Sequence, residues 1–307
     1  MTFFNDCFPL RLSATAKTLL AAIVVLGVYA SPVAGETPPL EFSEAVFKAR
    51  KLTVSLESQL FLARREAADI PWIATTPLQP GVRFQQPESA PALMIQVSNS
   101  VLGTRSRTTT WIEPESGTAL QRTVGRSSSK GSRYKGTRFA EEGVEELRSN
   151  RGEGEAADWT SATRAFRSYP EWMGDDVTVS DPTALFYLLT DPDLQAPGDA
   201  LQFPVMSRGN LVLIEVRVDK STRISADFLQ TQNGEAVRVK GKRQALLVKV
   251  DARHLGPDSS EEDMELLGMK GDLEFYIDSE LRVPLRLAGR VPKAGKVTLQ
   301  LKAVTIP

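Results

Sequence analysis

The chain has 307 residues, 41% of them hydrophobic and 24% charged, with a formal net charge of −1 at pH 7. That length admits one large β domain or two smaller ones, and a balance so close to neutral does not select nucleic acid by bulk electrostatics. A single cysteine, Cys7, and a single histidine, His254, exclude a disulfide framework and every metal site built on paired thiolates or imidazoles.

In chain order, Arg11 and Lys17 precede an uncharged apolar run, Thr18 to Ala34, which exits through Ala34-Gly35 into polar Glu36-Thr37-Pro38-Pro39. A positive flank, a short apolar core and a small-residue exit read as a secretory signal peptide over 1–35. Cleavage is expected after Gly35, with Ala30 as the second choice. The chain is therefore expected in the periplasm, an uncleaved inner-membrane anchor being the alternative. Cys7 precedes the apolar run rather than marking the cleavage site, which argues against lipidation. Past the leader no segment approaches the roughly 20 apolar residues of a membrane span.

Residues 36–91 form an N-terminal segment and 92–307 an antiparallel β domain. Ser43 to Lys51 reads as a short helical turn capped by Ser43. Leu52, Val54, Leu56, Leu60 and Leu62 share one parity, which predicts a half-buried strand. Five prolines between 71 and 91 predict a long loop. Strands are expected at 93–101, 105–113, 119–125 and 132–139, and residues 149–180 look irregular. Asp181-Pro182 opens a helix over 182–189, with aspartate as cap and proline in the first turn. A meander follows: strands at 201–206, 211–218, 225–231, 236–240, 244–252, 272–278, 283–287 and 296–304. Asn233-Gly234 is a strong hairpin signal within it. The pattern predicts a mainly β protein, a large curved antiparallel sheet or open barrel-like meander with one short capped helix.

Two blocks carry a family likeness. Asp181-Pro182-Thr183-Ala184-Leu185-Phe186-Tyr187-Leu188-Leu189 runs on to Pro197-Gly198-Asp199. Gly271-Asp272-Leu273-Glu274-Phe275-Tyr276-Ile277-Asp278 runs on to Arg282-Val283-Pro284-Leu285-Arg286-Leu287 and a last strand. From about residue 92 to 306 the chain resembles a periplasmic family designated domain of unknown function 3108. The resemblance implies export and a curved antiparallel sheet wrapping a helix, and it implies no reaction. Leu40 to Pro91 departs from the pattern.

No catalytic motif, metal site or cofactor fingerprint appears, and no nucleic-acid motif. His254 sits at a turn without a second ligand. The acidic clusters Asp175-Asp176 and Asp191/Asp193 read as turn residues. Between Ser116 and Ala140 there are six basic residues, Arg122 to Arg138, and no acid, whereas acids dominate from Glu141 to Asp158. Either cross-strand pairing matches the two blocks, or the strip binds an anionic lipid head group or acidic glycan. Arg282, Arg286 and Arg290 recur at even spacing opposite Asp272, Glu274 and Asp278. Cross-strand ion pairing is the default reading, and a grip on phosphate or carboxylate is the alternative. Trp159, Phe166, Tyr169 and Trp172 plug the core or line a cleft for sugar or acyl chains. Arg282, Arg286, Trp159 and Trp172 are the candidate ligand-binding residues. The expected function is a non-catalytic envelope protein holding a lipid, a glycan or a partner chain. The alternative is a hydrolase of an envelope polymer, using two carboxylates drawn from Asp175, Asp176 and Asp181.

Overall fold

The computed structural model describes residues 40–51, 54–88, 91–101, 103–129, 131–150, 157–173, 177–190, 193–255, 264–291 and 295–307. The leader with Cys7, the pair Asp175-Asp176, Asp191 and the stretch 256–263 lie outside them. Residues 36–307 belong to one compact unit.

The protein is mainly β, built on one sheet of fifteen strands that is antiparallel but for one pairing. The first eight strands are β1 (Glu44–Lys51), β2 (Val54–Arg65), β3 (Ala92–Val101), β4 (Thr104–Ile112), β5 (Ala119–Ser128), β6 (Gly131–Phe139), β7 (Gly143–Ser149) and β8 (Thr163–Ser168). After a helical turn come β9 (Ala200–Ser207), β10 (Asn210–Gln232), β11 (Glu235–His254), β12 (Glu265–Leu266), β13 (Met269–Asp278), β14 (Pro284–Val291) and β15 (Gly295–Ile306). Across the sheet the order is β8-β7-β6-β5-β4-β3-β2-β1-β15-β14-β13-β11-β10-β9, with β12 beside β13. The tip of β10, Leu229 to Gln232, also pairs in parallel with Ala303 to Ile306 of β15. That edge of the sheet therefore curls back on its middle.

Several expectations are corrected. Ser43 to Lys51 is not a helical turn. Ala45 and Phe47 are buried on one parity while Lys48 is exposed on the other, and β1 pairs on both sides, with β15 and β2. The period-two burial outweighs the capping signal of Ser43. Residues 211–231 form one strand and not two, because no glycine or proline interrupts Asp219 to Ile224. A bulge between Val218 and Lys220 bends β10 without ending it. β11 is likewise unbroken. β7 and β8 lie where acids and an irregular segment were expected. Their alternation is masked by charge, since Glu145 points into the protein and β8 is an edge strand with little buried surface.

Asn233 and Gly234 both adopt positive φ, 51° and 81°, as the two-residue hairpin turn joining β10 to β11 requires. The Arg208-Gly209 pair, at 53° and 86°, closes β9–β10 in the same way.

The main core lies on one face of the sheet, under the helical segment. Asp181 caps it: its carboxylate accepts the Thr183 N–H at 2.9 Å and pairs with Arg122 at 3.2 Å. Thr110 and Thr183 donate their hydroxyls to the same carboxylate. A 3-10 turn, Pro182–Ala184, leads into the single α-helical turn α1 (Leu185–Leu188). Phe186 is fully buried and meets Phe275 of β13 edge-on, with ring centroids 6.0 Å apart. The sheet face that the helix covers is thus filled.

At the β13–β14 turn Asp278 is buried and holds Arg243 through two hydrogen bonds of 2.7 and 3.0 Å, while the Glu280 and Leu281 N–H groups donate to it. Burial pushes its carboxyl up, but Arg243 and the two amides together outweigh burial and leave it below the usual carboxylate range. A carboxyl lowered on folding stabilises the protein above its unfolded value and loses that contribution as pH falls through the lower folded one. Asp278→Asn is therefore expected to lower stability at neutral pH and to flatten the acid limb below about pH 4. Denaturant midpoints measured across pH check both effects.

Candidate ligand-binding site

The other face of β2–β7 carries a second, smaller core and beside it a cleft. Segment 66–88, between β2 and β3, crosses this face as a strap. Side chains of the sheet hold its backbone. Gln121 accepts the Ile73 N–H at 2.8 Å and donates to the Pro71 carbonyl, Glu145 accepts the Leu78 N–H at 2.8 Å, and Glu113 accepts the Glu88 N–H at 3.0 Å. Arg138 donates to the carbonyls of Leu120 and Gln85, and Arg164 to that of Thr76. Beneath the strap Ile70, Ala92, Trp111 and Leu120 form the small apolar cluster, with Trp72 and Met94 against it.

Arg138 is the largest fully buried side chain among the described residues. Its guanidinium lies 4.0 Å from the Trp72 ring centroid and 4.6 Å from that of Phe84. Burial pulls its pKa down to about 10, against the raising field of Glu145 opposite it on β7. Glu145 is itself fully buried and ion-paired with Arg164 of β8. Charge thus pins the strap from below.

Where the strap stops short, a cleft of about 920 Å³ opens. Its floor is the strand parity that bears Ser98 and Ser100 on β3, Arg105, Arg107 and Thr109 on β4, and Thr123, Gly125 and Ser127 on β5. These small side chains leave the floor low, whereas the opposite parity of the same strands carries Leu93, Ile95, Val97 and Ile112 into the main core. Trp72 and Ile73 of the strap, Trp111, Gln121, Tyr134 of β6 and Trp159 add to the lining, and Ser106 and Arg126 border it. Gly136 of β6 is needed there: a Cβ on it would come within 2.4 Å of the Ile73 side chain and 3.2 Å of the Trp159 ring. Glu57, the carboxylate among the described lining residues, pairs with Lys48 at 2.9 Å.

Of the four candidate residues read from the sequence, Trp159 lines this cleft. Trp172 is 61% exposed on a separate 3-10 turn. Arg282 is not on a strand face with Arg286 and Arg290. It occupies the β13–β14 turn at φ 55° and donates to the carbonyls of Leu189 and Leu194 just beyond the helix. Arg286 lies over Tyr276, 5.2 Å from its ring centroid. The acids placed opposite these arginines pair elsewhere, Asp278 with Arg243 and Glu274 with Lys296. The aromatic group disperses too. Phe166 packs at Gly143, and Tyr169 reaches the main core, where burial raises its hydroxyl pKa.

Among the carboxylates offered for hydrolysis, Asp181 is sealed in the core as a helix cap. His254 is half-buried at the end of β11, and no group of three metal-ligating side chains occurs among the described residues. No helix among the described residues is long and apolar enough to cross a membrane. Sequence reasoning missed Trp72, Trp111, Tyr134, Arg105 and Arg107. The available signal was parity: along β3, β4 and β5 one face is apolar and the other is Ser, Thr, Gly and Arg. No family model matches the chain, nor does any curated protein or solved structure.

Proposed function

We propose that the protein is an exported, non-catalytic binding protein of the cell envelope, whose cleft holds the saccharide portion of an amphipathic ligand. The carrying observation is the pairing of the aromatic side chains Trp72, Trp111, Tyr134 and Trp159 with a floor of serine, threonine and arginine in one cavity. Indole and phenol faces stack on the apolar faces of sugar rings. Serine, threonine and glutamine match the ring hydroxyls, and each such group would lose its water unpaired beneath an acyl chain. Sugar is favoured over hydrocarbon on that cost. Two-carboxylate hydrolysis finds no support in this cleft, where the one described acid is already tied to Lys48. Export rests on the leader pattern of residues 1–35, and the resemblance to domain of unknown function 3108 agrees with it.

Native mass spectrometry of the mature protein, purified gently from a bacterial envelope fraction, is expected to retain a hexose-containing mass. Trp159→Ala is expected to weaken binding of that ligand about tenfold, as loss of one stacking wall implies. A clean apo mass, together with tryptophan emission unmoved by a panel of oligosaccharides, would overturn the reading.

A further inference from the structure

We propose a second site, on the strand parity of β5–β7 opposite the cleft floor and meeting the cleft at Arg126 and Ser106, that binds a polyvalent oxyanion of two or more clustered phosphate groups. Four cations carry it. Arg126 of β5 stands directly across from Arg133 of β6, and Lys135 of β6 directly across from Arg148 of β7. Residues directly opposed in an antiparallel pair share a face, with Cβ atoms about 5 Å apart. The second pair lies two residues along the strand from the first, roughly 7 Å away. All four take the parity of Arg122 and Thr137, opposite to that of Gly125 and Tyr134, and all four are exposed. On β4, Ser106 stands across from Arg126 and adds a hydroxyl to the same row.

Among the described residues little neutralises this patch. Arg148 reaches Glu146 at 3.3 Å, and Glu146 is shared with Arg167 at 3.7 Å. Among the described residues no carboxylate pairs with Arg126, Arg133 or Lys135. Several cations elsewhere in the sheet are paired with acids on neighbouring strands, as in Lys48–Glu57, Arg238–Asp227 and Arg243–Asp278. Even the row of Lys270, Arg290 and Lys296 is relieved by Glu274, 3.2 Å from Lys296. Like charges directly opposed destabilise a sheet, and here two such pairs are adjacent. Two adjacent pairs of directly opposed cations, all four exposed, make a patch suited to a dense anion. Three of the four cations are arginines, whose planar donor forks grip phosphate oxygens bidentately.

The test uses the mature chain and two probes, tripolyphosphate in solution and phosphatidylcholine vesicles with or without phosphatidylglycerol. Binding is expected to weaken about tenfold between low and physiological salt, and to fall at least about tenfold in the Arg126→Ser, Arg133→Ser double variant. Preference for tripolyphosphate identifies a soluble polyanion, and preference for the anionic vesicles identifies lipid phosphate as the source. Arg133→Glu converts one repulsive pair into an attractive one. Its Tm is expected to rise at low salt while binding is lost, a divergence that a purely structural role would not produce. Absence of binding to both probes, binding that survives the variants, or a lower Tm for Arg133→Glu overturns the proposal.

Discussion

Replacing Glu145 with alanine is expected to cost about 3–5 kcal/mol and to release the wall of the cleft. Three groups lose a partner at once. The Leu78 N–H loses its acceptor, Arg164 its counter-ion, and Arg138 the carboxylate that offsets its burial between Trp72 and Phe84. An uncompensated buried charge dominates that sum, because the guanidinium has no route to water while the strap stays closed. The expected signs are a lower urea midpoint, a red-shifted tryptophan emission and faster trypsin cleavage at Arg83 on the strap. Glu145→Gln keeps an acceptor for Leu78 while removing the charge, so it isolates the ionic part. A loss within about 1 kcal/mol for the alanine variant would mean that the strap is held by its apolar contacts alone.

Asp181→Ala is expected to be of the same order, for a different reason. The substitution removes a helix cap and takes from Arg122 the buried carboxylate it pairs with. Thr110 and Thr183 also lose their acceptor. Asn in its place retains the cap oxygen and is expected to recover part of the loss. The result bears on mechanism as well. A carboxylate that is 0% exposed cannot meet a polymer, so the damage should appear in chemical denaturation of the whole sheet. An Asp181→Ala protein that folded normally but lost a hydrolytic activity would restore the carboxylate reading.

The sheet, the helix cap and most strands were readable because each rests on local chemistry. Asp181-Pro182 sets its turn within three residues, and Asn233-Gly234 sets a hairpin within two. Failures arose where a residue's role depends on a distant partner. Arg282 shares even spacing with Arg286 and Arg290, yet its target is the pair of carbonyls at Leu189 and Leu194, some ninety residues earlier. Glu145 sits in the acidic run read as matching the basic block across the ladder, and it does stand opposite Arg138, but its burial follows from Arg138 on one side and Arg164 on the other. The cleft was hidden for the same reason. Its floor was implicit in the parity of β3–β5, but its walls come from the strap and from Trp159, which no spacing rule brings together. The proline-rich segment read as a loop is a loop, and its function lies in the side chains that tie it down.

The meeting of β1 and β15 carries a consequence for how the chain reaches its native state. Ser43 and Thr305 are hydrogen-bonded neighbours separated by 262 positions, and the strands that contain them lie in the middle of the sheet rather than at an edge. Until β15 has been synthesised, β1 lacks one of its two partners, and the two wings of the sheet cannot join. Such long-range closure makes folding slow and leaves open strand edges exposed in the meantime. Under the export proposed above, that delay would keep the chain open during passage across the membrane. The same delay exposes open strand edges to intermolecular pairing until β15 has been synthesised.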